Sequence, residues 1–288
     1  MRKIQLLAFT ACFSAAGTQA QDYKNPKLPI ETRINDLVSK MTVEEKIAQL
    51  YGDGLRTKPN ERLGIPGFEM SDGPIGVRTG KATAFPAGVA LATSWDTSLV
   101  ARVAKAIAVE AKAKGINMML GPTVNIHRFP IGGRNFESYS EDPYLASRMA
   151  VAYIKAMQNE NVIASVKHFC CNDQEWERMR YDAVIDERTL HEIHLPAFKA
   201  AIQEAGSLTI MSAYNKINGL YASENTYLLN DVLKKNWGFK GLVVSDWEAT
   251  HSTVPSAKAG LDLEMPTGVY FSDSLLAAVK AGKVTKAE

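Results

Sequence analysis

The run GLVVSDW, Gly241-Leu242-Val243-Val244-Ser245-Asp246-Trp247, decides the fold. Leu242, Val243 and Val244 show no apolar-polar alternation, which is how a strand covered on both faces reads. Such a strand ending in a carboxylate holds the charge on rigid backbone, where nearby cations can offset the cost of removing it from water. Lys167, Arg134 and Arg178 are the candidate cations, and Trp247 offers a flat apolar face that can wall a pocket.

Outward from this run the same alternation recurs. Short β-like runs fall at 68–70, 116–120, 162–166, 208–212, 242–245 and 261–263. Helical periodicity falls between them at 96–114, 142–159 and 186–205, and a further helix is expected over 30–50. In the third of these segments Leu190, Ile193, Ala197, Phe198, Ala201 and Ile202 share one face, with Gly206 just past the end. Strands alternating with helices predict parallel pairing through right-handed crossovers. Repeated this often, the pattern predicts an α/β fold of the TIM-type (β/α)8 barrel, incomplete at its C-terminal end. A doubly wound open sheet competes with it. No glycine cluster gives the G-x-G-x-x-G signature that dinucleotide binding wants, so no cofactor is expected.

Composition narrows the setting. Arg2 and Lys3 precede an apolar run over 4–16 that ends in small residues, the pattern of a secretory signal peptide over residues 1–20. The expected product is exported, periplasmic or extracellular, and not membrane-bound after cleavage, since no later run is long enough to span a bilayer. The chain has 33 basic and 31 acidic residues, so loss of Arg2 and Lys3 would leave the two equal. That neutrality argues against a nucleic-acid partner and suits an uncharged substrate. Cys12 lies in the signal, and the adjacent Cys170 and Cys171 offer neither a disulfide framework nor C-x-x-C spacing. His191-Glu192-Ile193-His194 has its histidines three apart rather than four, so no metal site is expected.

The barrel reading demands functional side chains at the C-terminal ends of strands. Ser71-Asp72, Lys167-His168, Tyr214-Asn215, Asp246-Trp247 and Glu264 all follow candidate strands. Each alone has a plain explanation, such as a turn residue or a hydrogen-bonded core histidine. Their placement together at one end of five strands points to a site.

These residues carry a resemblance. From about residue 34 to 265 the chain resembles the N-terminal domain of the family-3 glycoside hydrolases, exo-acting enzymes of the β-glucosidase kind. Four segments carry it: Met41-Thr42-Val43-Glu44-Glu45-Lys46; Gly133-Arg134-Asn135-Phe136-Glu137 with Ser140-Glu141-Asp142-Pro143; Lys167-His168-Phe169; and Val244-Ser245-Asp246-Trp247. The resemblance implies hydrolysis with retention of configuration, with Asp246 as the nucleophile that forms a glycosyl-enzyme. It implies that Asp72, Arg134, Lys167, His168, Arg178, Met211 and Tyr214 grip the sugar, with Trp247 beside them, on an oligosaccharide or small glycoside. The loop Lys167-His168-Phe169-Cys170-Cys171-Asn172-Asp173-Gln174 lacks the second histidine and the glycines of the N-acetylhexosaminidase branch, which favours the β-glucosidase branch. β-Xylosidase and α-arabinosidase activities of the same family stay open. In that branch the general acid/base is a glutamate from a second, α/β sandwich domain, which this sequence is expected to lack. A non-catalytic or sugar-binding fragment is the competing reading, and Glu264 reads best as a buried or rim carboxylate paired with a nearby base.

Overall fold

The computed structural model describes residues 21–285, which fall into two compact units. The signal-peptide reading of residues 1–20 lies outside them. In the first unit a helix covers Ile30–Lys40, preceded by a 3-10 turn at Asp22–Lys24. The Tyr23 amide donates to Asp36 Oδ2 (3.0 Å), Arg33 Nε donates to the Tyr23 carbonyl (3.0 Å), and Lys40 pairs with Asp36. The single helix expected over 30–50 is therefore two, because Met41 is extended and a second helix, Val43–Ala48, opens the second unit.

The second unit begins with a short hairpin, β1 (Gly52–Asp53) and β2 (Arg56–Thr57). The strands that follow are β3 (Met70–Asp72), β4 (Met118–Leu120), β5 (Ile163–Phe169), β6 (Asp182–Ala183), β7 (Thr209–Ser212), β8 (Lys216–Ile217), β9 (Leu220–Tyr221) and β10 (Leu242–Ser245). Five form one parallel sheet in the order β3-β4-β5-β7-β10. Long helices cross between them at Thr97–Ala113 and Pro143–Asn159. Both begin as the sequence predicts: Asp96 accepts from the Ser98 and Leu99 amides, and Asp142 from those of Tyr144 and Leu145, which satisfies first-turn donors.

Backbone bonds carry the sheet round into a barrel. Beyond β10, Leu263 bridges Val244 in parallel, and the expected strand 261–263 is reduced to this bridge. Tyr51 then bridges Glu264 in parallel, with the Gly52 amide 2.9 Å from the Glu264 carbonyl. The hairpin returns antiparallel, Arg56 bridges Glu69, and the Met70 amide donates to the Leu55 carbonyl at 2.8 Å, back at β3. The barrel reading stands, as an incomplete form of it: five regular parallel strands, with single bridges and a hairpin over the remaining arc.

Strand periodicity divides the apolar residues between two layers. Met70, Met118, Leu120, Met211, Val244, Leu263 and Met265 pack together inside the barrel. Their strand neighbours Met119, Ala164, Val166, Ile210 and Val243 join the helices in the outer core. Gly241 opens β10 where a Cβ would stand 2.1 Å from the Leu208 carbonyl oxygen, so only glycine permits this approach.

The helix expected over 186–205 is interrupted. Asp186 caps it as predicted, but a π-helical stretch occupies Leu190–His194 and a new helix runs Pro196–Gln203. Pro196 has no N–H for an i−4 bond and its ring crowds the preceding turn. Leu190, Ala197, Phe198, Ala201 and Ile202 are buried as expected, whereas Ile193 is exposed.

Candidate active site

Asp72 ends β3, Asp246 follows β10, and Lys167 and Met211 lie within the last three residues of β5 and β7, the ends the barrel reading singles out. With period-2 alternation, Asp246 shares a face with Val244, and Asp72 with Met70, both inside the barrel. The same parity that buries methionine and valine in the barrel thus points the next polar side chain into its mouth. A cavity of about 390 Å³ opens there. It is lined by the nine residues to which the resemblance gives a place at the sugar, Asp72, Arg134, Lys167, His168, Arg178, Met211, Tyr214, Asp246 and Trp247, but not by the strand-end residues Ser71, Asn215 and Glu264.

The charges are largely paired with one another. Lys167 Nζ donates to Asp72 Oδ1 (2.6 Å) and Arg78 Nη1 to Asp72 Oδ2 (2.6 Å). Burial pushes Asp72 upward, but Lys167 and Arg78 outweigh it and hold the carboxyl below its usual range. Arg134 Nη2 lies 2.5 Å from Glu137 Oε1, which also accepts from Thr123 Oγ1 at 3.1 Å. Glu175 Oε2 accepts from Arg178 Nη1 (2.5 Å), and the Arg178 guanidinium lies 4.2 Å from the centre of the Tyr214 ring. Gly133, at φ +82°, lets the chain pass Glu175, whose Cγ would lie 2.9 Å from an added Cβ.

Asp246 is treated differently. Oδ1 accepts from the Trp247 amide (2.7 Å), while Oδ2 has no hydrogen-bond partner among the described residues and faces His168 Nε2 at 3.4 Å. Burial pushes this carboxyl up, opposed by Lys167, the Trp247 amide, Tyr214 and Arg134. Burial, and then the Asp246 charge, also push the Tyr214 phenol up. His168 is held well below its ordinary value by burial and by Arg134, Lys167 and Arg178, all of which disfavour a second proton on its ring. Trp247 Nε1 donates to the Gly54 carbonyl (3.1 Å), pinning the indole to the β1–β2 turn.

Cavity residues missed in the sequence are Leu55, Arg78, Leu120, Phe136 and Glu137. Phe136 and Glu137 follow Arg134 in a run already noted, while Arg78 carries no local signal. Glu264 is 2 % exposed and does not line the cavity. Its carboxylate accepts from the amides of Val269, Tyr270 and Phe271 instead of the expected base, a structural role in a loop.

His191 pairs with Tyr227 (2.9 Å), and His194 with Asp173 (3.2 Å) and Arg128 (3.4 Å), so the two histidines face different partners. Cys170 and Cys171 are buried free thiols. A larger surface cleft, about 650 Å³, is lined by Arg148 and Glu204, which are bound to each other at 2.6 and 2.7 Å. Its one buried unpaired polar atom is Arg148 Nε, in a side chain already bound to Glu204, and its carboxylates Glu192 and Glu204 are exposed, so the barrel mouth is the candidate site.

Residues 32–288 match the model of the glycosyl hydrolase family 3 N terminal domain. The chain is 48% identical over 265 residues to a beta-glucosidase of Rhizobium radiobacter, covering 88% of this chain and 32% of that protein. It is 46% identical over 268 residues to the thermostable beta-glucosidase B of Acetivibrio thermocellus, covering 88% and 36%. Among solved structures it is similar to beta-glucosidase 3B from Thermotoga neapolitana in complex with glucose, at 38% identity and a TM-score of 0.86 over 88% of this chain and 40% of that one. Beta-glucosidase from Kluyveromyces marxianus in complex with glucose gives 39% identity and a TM-score of 0.85, covering 88% and 32%. The chain thus spans roughly a third of the length of the curated relatives named here.

Proposed function

Because this chain belongs to glycosyl hydrolase family 3 through its N-terminal domain, we propose that its barrel mouth is the sugar-binding site of a retaining, exo-acting glycoside hydrolase of the β-glucosidase type, acting in carbohydrate breakdown. The observation that carries the reading is the state of Asp246. It is the one cavity carboxylate that neither a lysine nor an arginine binds, and its Oδ2 is buried without a hydrogen bond, on rigid backbone amid groups that can hold hydroxyls.

In this reading Asp246 Oδ2 attacks the anomeric carbon as the bond to the leaving oxygen breaks, through a transition state with oxocarbenium character. The product is a glycosyl ester on Asp246, which water opens with the configuration retained. Asp72 accepts from sugar hydroxyls, and Lys167, Arg134 and Arg178 donate to others, using the stronger charge-assisted kind of hydrogen bond. Trp247 supplies an apolar wall beside the ring.

Departure of a poor leaving group needs a proton donor. Neither of the other cavity carboxylates suits, since Asp72 is bound to two cations and Glu137 to Arg134 and Thr123. Glu264 is committed to three amides. We assign the donor to a carboxyl outside the described residues. For residues 21–285 alone, sugar binding without turnover of unactivated glycosides is the second reading, favoured by this lack of an uncommitted carboxyl.

One experiment separates the nucleophile from the acid. A dinitrophenyl 2-deoxy-2-fluoro-β-glucoside loses its leaving group unaided, so it traps the glycosyl-enzyme with no donor present. Peptide mass mapping is expected to place the label on the peptide carrying Asp246. A label on another residue refutes the assignment. The family's β-xylosides and α-arabinosides, compared with β-glucosides on the same readout, test the sugar. Export is part of the proposal, tested by sequencing the N-terminus of protein secreted from a bacterial host, where the first residue is expected to be Gln21.

A further inference from the structure

The imidazole of His168 is held by a residue that lies behind it. Asn125, 6% exposed, makes three contacts to His168. Its Oδ1 lies 2.9 Å from the His168 backbone nitrogen and 3.0 Å from the ring Nδ1, and its Nδ2 lies 2.9 Å from the His168 carbonyl oxygen. The backbone contacts fix which end of the amide is which. Reversing the amide would set an oxygen against a carbonyl oxygen and an NH₂ against an N–H, losing both bonds. Oδ1 therefore faces Nδ1, and an amide oxygen has only lone pairs to offer. Nδ1 must supply the hydrogen.

We propose that Asn125 is a positioning residue that keeps the His168 proton on Nδ1 and so presents Nε2 to the cavity as a bare acceptor. In a neutral imidazole the second nitrogen carries no hydrogen. The groups around the ring are Arg134, Lys167, Arg178 and Asp246; the three cations disfavour a second proton, and only Asp246 favours one.

Two consequences follow at the site. Toward Asp246, Oδ2 meets a lone pair at 3.4 Å instead of an N–H, which leaves that oxygen unpaired and free to attack. Toward the sugar, a hydroxyl opposite Nε2 must donate, while those opposite Lys167 and Arg134 accept. His168 thus reads a hydroxyl as a donor, a role no cationic neighbour can perform. This second consequence rests on the reading of the cavity as a sugar site, whereas the proton's position does not.

The test follows the same division. In the chain labelled with ¹⁵N-histidine, two-bond ¹⁵N–¹H correlation spectra report which ring nitrogen is protonated, and His168→Gln identifies the His168 signals. The expected result is protonated Nδ1 and bare Nε2 across roughly pH 5 to 8, the range where an ordinary histidine titrates. A proton on Nε2 at neutral pH, as the other tautomer or as imidazolium, overturns the proposal whatever the protein's activity. Asn125→Asp keeps an acceptor for both N–H groups but adds a negative charge, so His168 is expected to gain its second proton at higher pH than in the wild type. Asn125→Ala removes the acceptor, and retention of a pure Nδ1–H ring in that variant would exclude Asn125 as the cause.

The sugar arm uses D-glucose and its monodeoxy and deoxyfluoro analogues in binding titrations. At one ring position fluorine is expected to weaken binding about tenfold, as much as deletion does, because fluorine cannot donate. Recovery of binding by fluorine at every position overturns the acceptor role. Failure of glucose itself to bind, with the tautomer as expected, refutes the sugar-site reading and leaves the role of Asn125 standing.

Discussion

Replacing Lys167 by methionine tests how the cavity manages its charges. Lys167 is 3% exposed, donates to Asp72 at 2.6 Å, and is the strongest influence opposing the upward push of burial on Asp246. Methionine keeps much of the apolar stem and removes the charge. The first effect is loss of a charge-assisted hydrogen bond to the sugar, worth roughly 1.5–3 kcal/mol. At about 1.4 kcal/mol per factor of ten, that lowers kcat/KM about 10- to 150-fold.

The second effect has a sign. The nucleophile must be ionised, burial already raises its pKa, and removing a cation raises it further, so activity is lost at a higher pH on acidification. The ratio of wild type to variant should widen toward low pH. The assay is kcat/KM for an aryl β-glucoside with an activated leaving group, from about pH 4 to 8, where glycosylation needs no proton donor. An acid limb that stays put or moves down, or a loss below about threefold at every pH, would refute the reasoning.

Other outcomes follow from the same geometry. Asp246→Asn should lower the rate on that substrate by roughly 10⁴-fold or more while glucose binding, followed by calorimetry, persists. Glu264→Ala takes the acceptor from three loop amides in a buried site and should cost roughly 3 kcal/mol in urea unfolding. The folded fraction of that variant should still trap a fluorosugar on Asp246, which a general acid or nucleophile at position 264 would not allow. Gly241→Ala forces a Cβ against the Leu208 carbonyl and should destabilise the chain by more than about 2 kcal/mol, seen as a lower midpoint at unchanged denaturant slope.

What the sequence reveals here depends on how directly position follows from period. Asp72, Lys167 and Asp246 are legible because each ends an apolar run, and strand geometry then sets where the side chain goes. Arg134 and Arg178 lie in loops without a period, and only the resemblance of their motifs placed them at the site. Asn125 carries no signal, since its partner His168 lies 43 residues away, and Glu137, though inside a noted run, carries no sign of its bond to Thr123, 14 residues away. The closing arc of the barrel was equally hidden, because bridges such as Tyr51 with Glu264 leave no pattern in the chain. The break before Pro196 was in plain view, yet the apolar face of that segment continues across it and outweighed the proline's message.

Asp72 and Asp246 show why reading strand ends is not the same as reading roles. Both are aspartates at or just past the C-terminal end of a parallel strand, on the inner face of one barrel, and both line one cavity. A carboxylate has about four lone-pair sites. Asp72 has one cationic donor on each oxygen, which holds it ionised and leaves about two sites for neighbouring hydroxyls. Asp246 has one amide on Oδ1 and nothing on Oδ2, and its environment raises it rather than lowers it. A carboxylate lowered by two cations is a poor nucleophile and a good grip, while one with a bare oxygen is the reverse. The division of labour therefore rests on Arg78, which only Asp72 has, and on His168, whose proton faces away from Asp246.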